Sequence, residues 1–418
     1  MTKLNVLQVS RSTDSGGAPI ATMRLNTALR RSGVNSRCLT LSKGSVNDGV
    51  LSLNSTFYTL WGVATRILDR LPMRLTKSDC GMLSSSWLPG PVARKINKIA
   101  PDVVNLHWVN RSFLSIAAIA KIKAPKVWTL HDMWAFAGAE HYVGDSVRYK
   151  TGYLKTNRDH GESGFDLNRW VWLRKQKLWA NIDNLVIVTP SQWLAQCARE
   201  SVLFKNVPVE VIPNGIDHEV FKPIEKNVAR DILGLKKDKK LILFGAGNAT
   251  TDKRKGFHLL SLAIETLEAT YGNDNYELVV FGADSGGDLP FKTKVHYLGS
   301  LHDPISLAVA YSAVDVFVAP SLQDNLPNTI LEALSCGTPV VSFNTGGMPD
   351  MIQHEVNGYL AHAFEPDDLA AGINWILEDT ARWRDLSIHA RATILDNFTL
   401  AHQAKRYSEL YSRISNKQ

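Results

Sequence analysis

Residues 321–341 read SLQDNLPNTILEALSCGTPVV: a loop-like opening, a short helix beginning near Thr329, and a closing run with the character of a buried strand. Pro327 cannot donate a backbone hydrogen bond and is well placed just before a helix. Another apolar run, VDVFVAPS (314–321), leads into this stretch. Strand, loop, helix and strand in succession are the repeating unit of a parallel sheet covered by helices. Two carboxylates mark the unit, Asp324 at the helix mouth and Glu332 in its second turn. On a plain reading, one is a loop residue and the other lies on a solvated helix face.

The same alternation runs through the whole chain. LNVLQVS (4–10), SRCLTLS (36–42), DVVNLHW (102–108), KVWTLHD (126–132) and LVIVTPS (185–191) are strand-like in the first half. KLILFGAG (240–247), ELVVFGAD (277–284), VHYLGSL (295–301) and PVVSFNTGG (339–347) join VDVFVAPS in the second. A chain of 418 residues exceeds one ordinary domain. The pattern predicts two α/β halves in tandem, each a doubly wound, Rossmann-like parallel sheet. The turn-rich segment VPVEVIPNGIDHEVFKP (207–223) supplies a hinge, which gives domains of residues 1–207 and 208–395. Ligands of such sheets collect where strands end and helices begin. Facing each other across the hinge, two open sheets would bring those loops into one cleft.

Composition narrows the partners. Apolar residues make up 44% of the chain and charged ones 21%, a globular balance. Cys38, Cys80, Cys197 and Cys336 show no paired spacing, which argues against a disulfide framework or zinc site and for a reducing compartment. The opening MTKLNVLQVS has no signal pattern, and no run approaches the ~20 apolar residues of a membrane span, so a cytoplasmic protein is expected. Residues 1–200 hold 27 Lys and Arg against 13 Asp and Glu, while the remainder holds 20 against 27. That asymmetry suits a phosphorylated substrate or an anionic membrane surface. The basic residues form no nucleic-acid motif, so no nucleic-acid partner is expected.

The unusual residues stand at the expected strand ends. Gly16-Gly17 between a strand and a helix permits close approach to a phosphate, as does a plain tight turn. The run from Gly245 lacks the third glycine of a dinucleotide fingerprint, with Thr250 in its place, which disfavours a nicotinamide enzyme. Lys253, Arg254 and Lys255 precede a helix near Phe257, at the end of the helix dipole that is already positive. A solvated charge run is one reading; a clamp on a leaving diphosphate is the other. His131, followed by Asp132, ends a strand and could hold a sugar hydroxyl. In the opening stretch the amides of Asn328, Thr329 and Ile330 would point at an anion. Glu332 can accept two hydrogen bonds from a ribose diol, and Asp324 can reach the group beyond the phosphates. One carboxylate for the nucleoside and one for the sugar describe a nucleotide-sugar site.

These residues resemble the retaining GT-B glycosyltransferases of family four, a group that includes bacterial enzymes of surface polysaccharides such as capsule or O-antigen. Its signature is a glutamate, seven residues and Glu-Ala, then GxPVV and GG; DNLPNTILEALSCGTPVVSFNTGGMPDMI (324–352) matches it with Asp324 in the first position. GGA (16–18), TLHD (129–132), TPSQWL (189–194), VIPNGID (211–217), RKG (254–256) and YLGSL (297–301) extend the likeness across nearly the whole chain. The resemblance implies that Gly17 approaches the donor phosphates, His131 contacts the transferred sugar and Lys255 binds the diphosphate. It also implies Leu301 beside the base, Glu332 on the ribose and Asp324 near the donor sugar. Residues 396–418 resemble the helix that crosses back to the N-terminal domain. The implied reaction moves a hexose-type sugar from a UDP- or GDP-linked donor to a glycan or lipid-diphosphate acceptor, with retention and without a metal or other cofactor.

The chain departs from the pattern in several places. Asp324 is one methylene shorter than glutamate, Pro327 replaces a common glycine, and Ala246 stands where many members carry an arginine that Arg254 can replace. The segment HDMWAFAGAEHYVGDSVRYKTGY (131–153) lacks the cysteines of similar members. In 57–75, Phe57, Leu60, Trp61, Ala64, Leu68 and Leu71 form an apolar face and Arg66, Arg70 and Arg74 a basic stripe. Such a helix either packs on the domain or lies in an anionic interface, which would make the protein peripheral on a membrane. Two other readings share the architecture: a nucleotide-sugar epimerase, and a nucleotide-sugar-binding scaffold without turnover.

Overall fold

The computed structural model describes residues 4–13, 16–41, 49–53, 56–78, 81–245, 247, 250–272, 275–285 and 289–416, without the side chains of 56, 57, 59, 60 and 66. The Ala246 comparison and Cys80 therefore lie outside the described residues. The chain divides into two units: residues up to Pro213 together with those from Gln403 onward, and Asn214–His402.

The first unit contains β1 (Asn5–Val9), β2 (Asn35–Thr40), β3 (Val50–Ser52), β4 (Thr76–Lys77), β5 (Val103–Leu106), β6 (Lys126–Thr129), β7 (Ser163–Gly164), β8 (Leu185–Thr189) and β9 (Val209–Val211). Its parallel sheet runs β3-β2-β1-β5-β6-β8-β9, while β4 and β7 pair as a small antiparallel ribbon. The order reverses between β1 and β5, the place where a doubly wound sheet opens a crevice. Side chains alternate between the faces of a strand. Leu7, Val9, Val104, Leu106 and Trp128 accordingly enter one hydrophobic core. Gln8 stands in register with Asn105, and Asn105 with Val127, so Gln8, Asn105 and Thr129 line the opposite face of three neighbouring strands. On that face lie Tyr407 and Tyr411 of the final helix, Leu400–Ser415.

Two boundaries differ from the sequence reading. β9 lies inside the segment expected to be hinge, yet it pairs in parallel with β8, so the first unit continues to Pro213 rather than ending at 207. Residues 396–402 stay with the second unit because Ile216 donates to the Phe398 carbonyl (2.8 Å) and Leu400 to that of Ile216 (3.3 Å).

The second unit contains β10 (Lys240–Gly245), β11 (Tyr276–Phe281), β12 (Val295–Tyr297), β13 (Val316–Ala319), β14 (Val340–Phe343) and β15 (Gly358–Ala361), in the parallel order β12-β11-β10-β13-β14-β15. Leu241, Leu243, Val279 and Phe317 enter one core, and Ile242, Phe244, Leu278 and Val316 the other. Both faces are covered, which is why the central positions of β10, β11 and β13 are apolar in succession rather than at every second one. Here the order reverses between β10 and β13.

Segment 57–75 is not one helix. A helix over Thr56–Leu68 ends, and a second, Leu71–Arg74, starts with Pro72 in its first turn, where proline is tolerated. The expected orientation is also corrected. Thr65 and Asp69 are buried, whereas Ala64, Leu68 and Leu71 of the expected apolar face are exposed, along with Val63, Ile67 and Leu75. The Asp69 carboxylate accepts from the Trp87 amide (3.2 Å), and its carbonyl accepts from the Ser85 hydroxyl (2.7 Å), while Tyr58 and Met73 pack against the core. Phe57, Leu60 and Arg66 have side chains outside the described set. Among the described residues no helix is long and apolar enough to cross a membrane.

Candidate active site

In the second unit the loops after β10 and β13 leave the sheet side by side at the reversal point. The first tightens into a 3-10 turn over Lys253–Lys255, capped by the Asp252 carboxylate, which accepts from the Arg254 amide (3.0 Å). Gly256 follows with φ +75°, and a Cβ there would lie 1.8 Å from the Pro320 carbonyl oxygen, so only glycine lets the two loops approach. The consequence is a cluster. The Lys255 ammonium lies 2.6 Å and the Arg254 guanidinium 3.1 Å from the same Asp324 oxygen. Arg254 also donates to the Gln323 carbonyl at 2.9 Å.

Burial alone would raise the Asp324 carboxyl, but Lys255 and Arg254 outweigh it and hold the group well below the usual carboxylate range. The two cations thus have an internal counter-ion, a feature absent from the sequence argument for an arriving anion. Asp324 and the cations form a charged cluster at the strand ends. A small cavity beside it is lined by Gly245, Lys255, Ala319, Pro320, Pro327 and Thr329.

The helix Asn328–Ser335 begins one residue before the expected start, with Pro327 as its cap. Asn328 accepts from the Asn214 side chain at 3.5 Å. The Ile330 amide, expected to face an anion, instead donates to the Pro327 carbonyl (3.2 Å). Glu332 is buried, not solvated, and accepts from the Tyr311 hydroxyl at 3.2 Å. Leu301, in the loop after β12, is half-buried against the core of this unit.

Gly17 and His131 belong to the first unit. Gly17 is exposed at the start of the helix Gly17–Arg31, behind Gly16 at φ +95°. His131 follows β6, and its Nε2 lies 3.1 Å from Nδ1 of His107, which follows β5. Burial lowers His131 to about 4, against the pull of neighbouring Asp132, so its imidazole is neutral at physiological pH. Burial, and then His131, drive His107 well below its ordinary value too. Asp132 turns away to His141, with Oδ2 2.6 Å from Nδ1, and accepts from the Trp108 indole at 3.0 Å. His141 Nε2 reaches the Ser84 hydroxyl at 2.8 Å. The Ser–His–Asp order is that of a hydrolytic triad, but Ser84 is fully buried, so the array braces the loop after β6.

The structure therefore brings Arg254, Lys255 and Asp324 together and sets Asn328, Thr329 and Glu332 on the helix that starts beside them. His107 and Tyr311 went unnoticed in the sequence. His107 had a signal: DVVNLHW and KVWTLHD carry the same Leu-His pair at the end of a strand.

Two Rossmann-like units with open switch points are the architecture of the GT-B fold. Residues 15–220 match the model described as Glycosyltransferase Family 4, and residues 239–379 the model described as Glycosyl transferases group 1. The chain belongs to the family-four glycosyltransferases of the GT-B fold. A D-inositol 3-phosphate glycosyltransferase of Xylanimonas cellulosilytica is 27% identical over 409 residues, 91% of this chain and 87% of that protein. An uncharacterized glycosyltransferase of Methanocaldococcus jannaschii is 30% identical over 215 residues, covering 49% of this chain and 53% of its own length. The chain spans about half the length of most of the curated relatives it matches. Among solved structures, Anabaena HepE in complex with UDP and glucose has a TM-score of 0.67 at 17% identity, covering 98% of this chain and 100% of that one.

Proposed function

We propose that this protein transfers a hexose-type sugar from a nucleotide-sugar donor to a glycan or lipid-linked acceptor, with retention of anomeric configuration. The observation that carries the reading is the Lys255–Asp324–Arg254 cluster at the switch point of the second sheet, beside the helix that bears Glu332. When a diphosphate arrives, its oxygens compete with Asp324 for the two cations. Lys255, Arg254 and the first amides of the helix then stabilise the charge that grows on the leaving diphosphate, without a metal. Asp324, released in part, faces the donor sugar. Glu332 holds the ribose, Gly17 approaches the phosphates, Leu301 packs by the base and His131 contacts the transferred sugar.

The test is thermal unfolding with UDP-, GDP- and ADP-linked sugars. The UDP and glucose held by HepE make UDP-glucose the first donor to try. The matching donor, well above its dissociation constant, should stabilise the protein by about 2–4 kcal/mol, and Glu332→Ala should remove the shift. No shift with any donor would overturn the reading. A shift without sugar transfer would favour the scaffold.

The lipid-linked acceptor is supported by the outward side of 63–75. Val63 (53% exposed), Ile67 (61%), Leu71 (45%) and Leu75 (67%) stand in solvent with Arg70 and Arg74 among them. Apolar side chains interleaved with arginines suit an anionic membrane surface. Flotation with phosphatidylglycerol liposomes should carry the protein upward, and Ile67→Glu with Leu71→Glu should leave it at the bottom. Wild-type protein that never floats would favour a soluble acceptor, such as the inositol phosphate named for the Xylanimonas relative.

A further inference from the structure

A ladder of buried polar groups crosses β1, β5 and β6 on the face covered by the final helix. With the Asn105 and Gln8 amides in the orientation of this structure, it runs in one direction. The Thr129 hydroxyl donates to the Asn105 carbonyl oxygen (2.9 Å), which leaves the Asn105 amide nitrogen to donate to the Tyr411 oxygen (2.7 Å). Tyr407 meets the Thr129 hydroxyl at 2.9 Å and, with the Thr129 proton engaged by Asn105, donates to its oxygen. The Gln8 amide nitrogen also donates to the Tyr411 oxygen (3.3 Å), and to Ser36 (3.4 Å), whose hydroxyl is committed to Asn26 (2.8 Å). Gln8 is thereby oriented with its carbonyl oxygen toward His107 Nε2, 2.9 Å away.

A carbonyl oxygen only accepts, so His107 must carry its proton on Nε2. A neutral imidazole then has a bare Nδ1, and this atom faces Nε2 of His131. His131 must in turn be protonated on Nε2 and bare on Nδ1. Reversing the Gln8 amide would reverse both rings and turn His131 Nδ1 from acceptor into donor.

We infer that Gln8 and Tyr411 are positioning residues that, through His107, fix His131 in the tautomer whose Nδ1 accepts a hydrogen bond. The final helix thus determines the kind of group His131 can hold: a hydroxyl donor, as a sugar provides, rather than a phosphate or carboxylate oxygen. The tautomer assignment concerns the protein alone; only its use on a sugar rests on the transfer reading above.

The experiment is a ¹⁵N NMR measurement of the histidine ring nitrogens in the ligand-free full chain, with His107 and His131 assigned through His→Gln variants. Wild type should show His131 as one species, protonated on Nε2. Gln8→Met and Tyr411→Phe should each convert that signal to a mixture of both tautomers, with the larger change for Gln8→Met. They should lower turnover of any sugar transfer with little change in KM for the donor. A wild-type His131 protonated on Nδ1 overturns the inference. So does an unaltered single tautomer in a folded Tyr411→Phe variant, which deletes only a hydroxyl. Because these signals need no donor, a failure of the donor screen leaves them readable, and their failure leaves the donor screen intact.

Discussion

Replacing Lys255 by alanine should lower the turnover number of sugar transfer by about 10²–10³-fold, the scale seen when one preorganised donor to a developing charge is removed. Its ammonium is 2.6 Å from Asp324 in the free protein, so the ground state already satisfies it. In the proposed reaction the gain comes when negative charge moves onto the leaving diphosphate and the lysine can follow it. Binding of the nucleotide diphosphate should weaken less than turnover, because Arg254 keeps its own 3.1 Å contact to the carboxylate and its place in the cluster. Lys255→Arg keeps the charge and should recover part of the rate. Steady-state kinetics with the donor named by the thermal screen provide the check. An unchanged turnover number in Lys255→Ala would mean that the Lys255–Asp324 pair serves only to hold the two loops together.

The second large effect is on stability. Lys175→Met should destabilise the first unit by about 3–5 kcal/mol, the cost of breaking a buried charged group out of its partners. Lys175 is fully buried. Its three N–H bonds are matched to three carbonyl oxygens: Trp134, Ala137 at 3.0 Å and Gly138 at 2.6 Å. The ammonium also lies 3.8 Å from the centre of the Trp134 ring. Burial pulls the lysine well below its ordinary value, while the charges of Glu140 and Asp132 pull it back. Methionine fills the volume but leaves three carbonyls without a donor and Glu140 without its cation, so packing alone does not rescue the site. Denaturant unfolding of the wild type and the variant measures the difference. A loss below about 1 kcal/mol would show that water or a rearranged loop satisfies those carbonyls.

Much of the fold could be read in the chain because of where its strands lie. LILFG (241–245) and LVVF (278–281) are apolar throughout since both faces of the second sheet are covered, and such runs announce themselves. VEV at 209–211 and GYLA at 358–361 are edge strands, the first interrupted by Glu210 among turn residues and the second opening on a glycine, so neither forms a recognisable apolar run. The switch-point residues were legible for the same reason as the strands: Lys255 and Asp324 follow two clear apolar runs. What the chain could not reveal was pairing over long separations. That Asp324 neutralises Lys255 and Arg254 depends on two loops meeting, and that meeting depends on Gly256. Tyr407 and Tyr411 look like the apolar side of an ordinary amphipathic helix. Only the sheet, between 278 and 403 residues earlier in the chain, turns their hydroxyls into parts of a proton-ordering ladder. In 57–75 Ala64, Leu68 and Leu71 of the expected apolar face turn outward because Thr65 and the hydrogen-bonded Asp69 share the inner side with Tyr58 and Met73.

The return of the last residues to the first unit has a bearing on how the protein is made. Domains usually fold in the order in which they leave the ribosome. Here the second unit is complete once His402 has emerged, whereas the first still lacks the strip from Gln403 that covers Gln8, Asn105 and Thr129. The earlier-synthesised unit is the later one to finish. Until the final turns are released, its nascent sheet carries an open row of amides and hydroxyls. Emergence of the helix Leu400–Ser415 then closes the structure around His107 and His131.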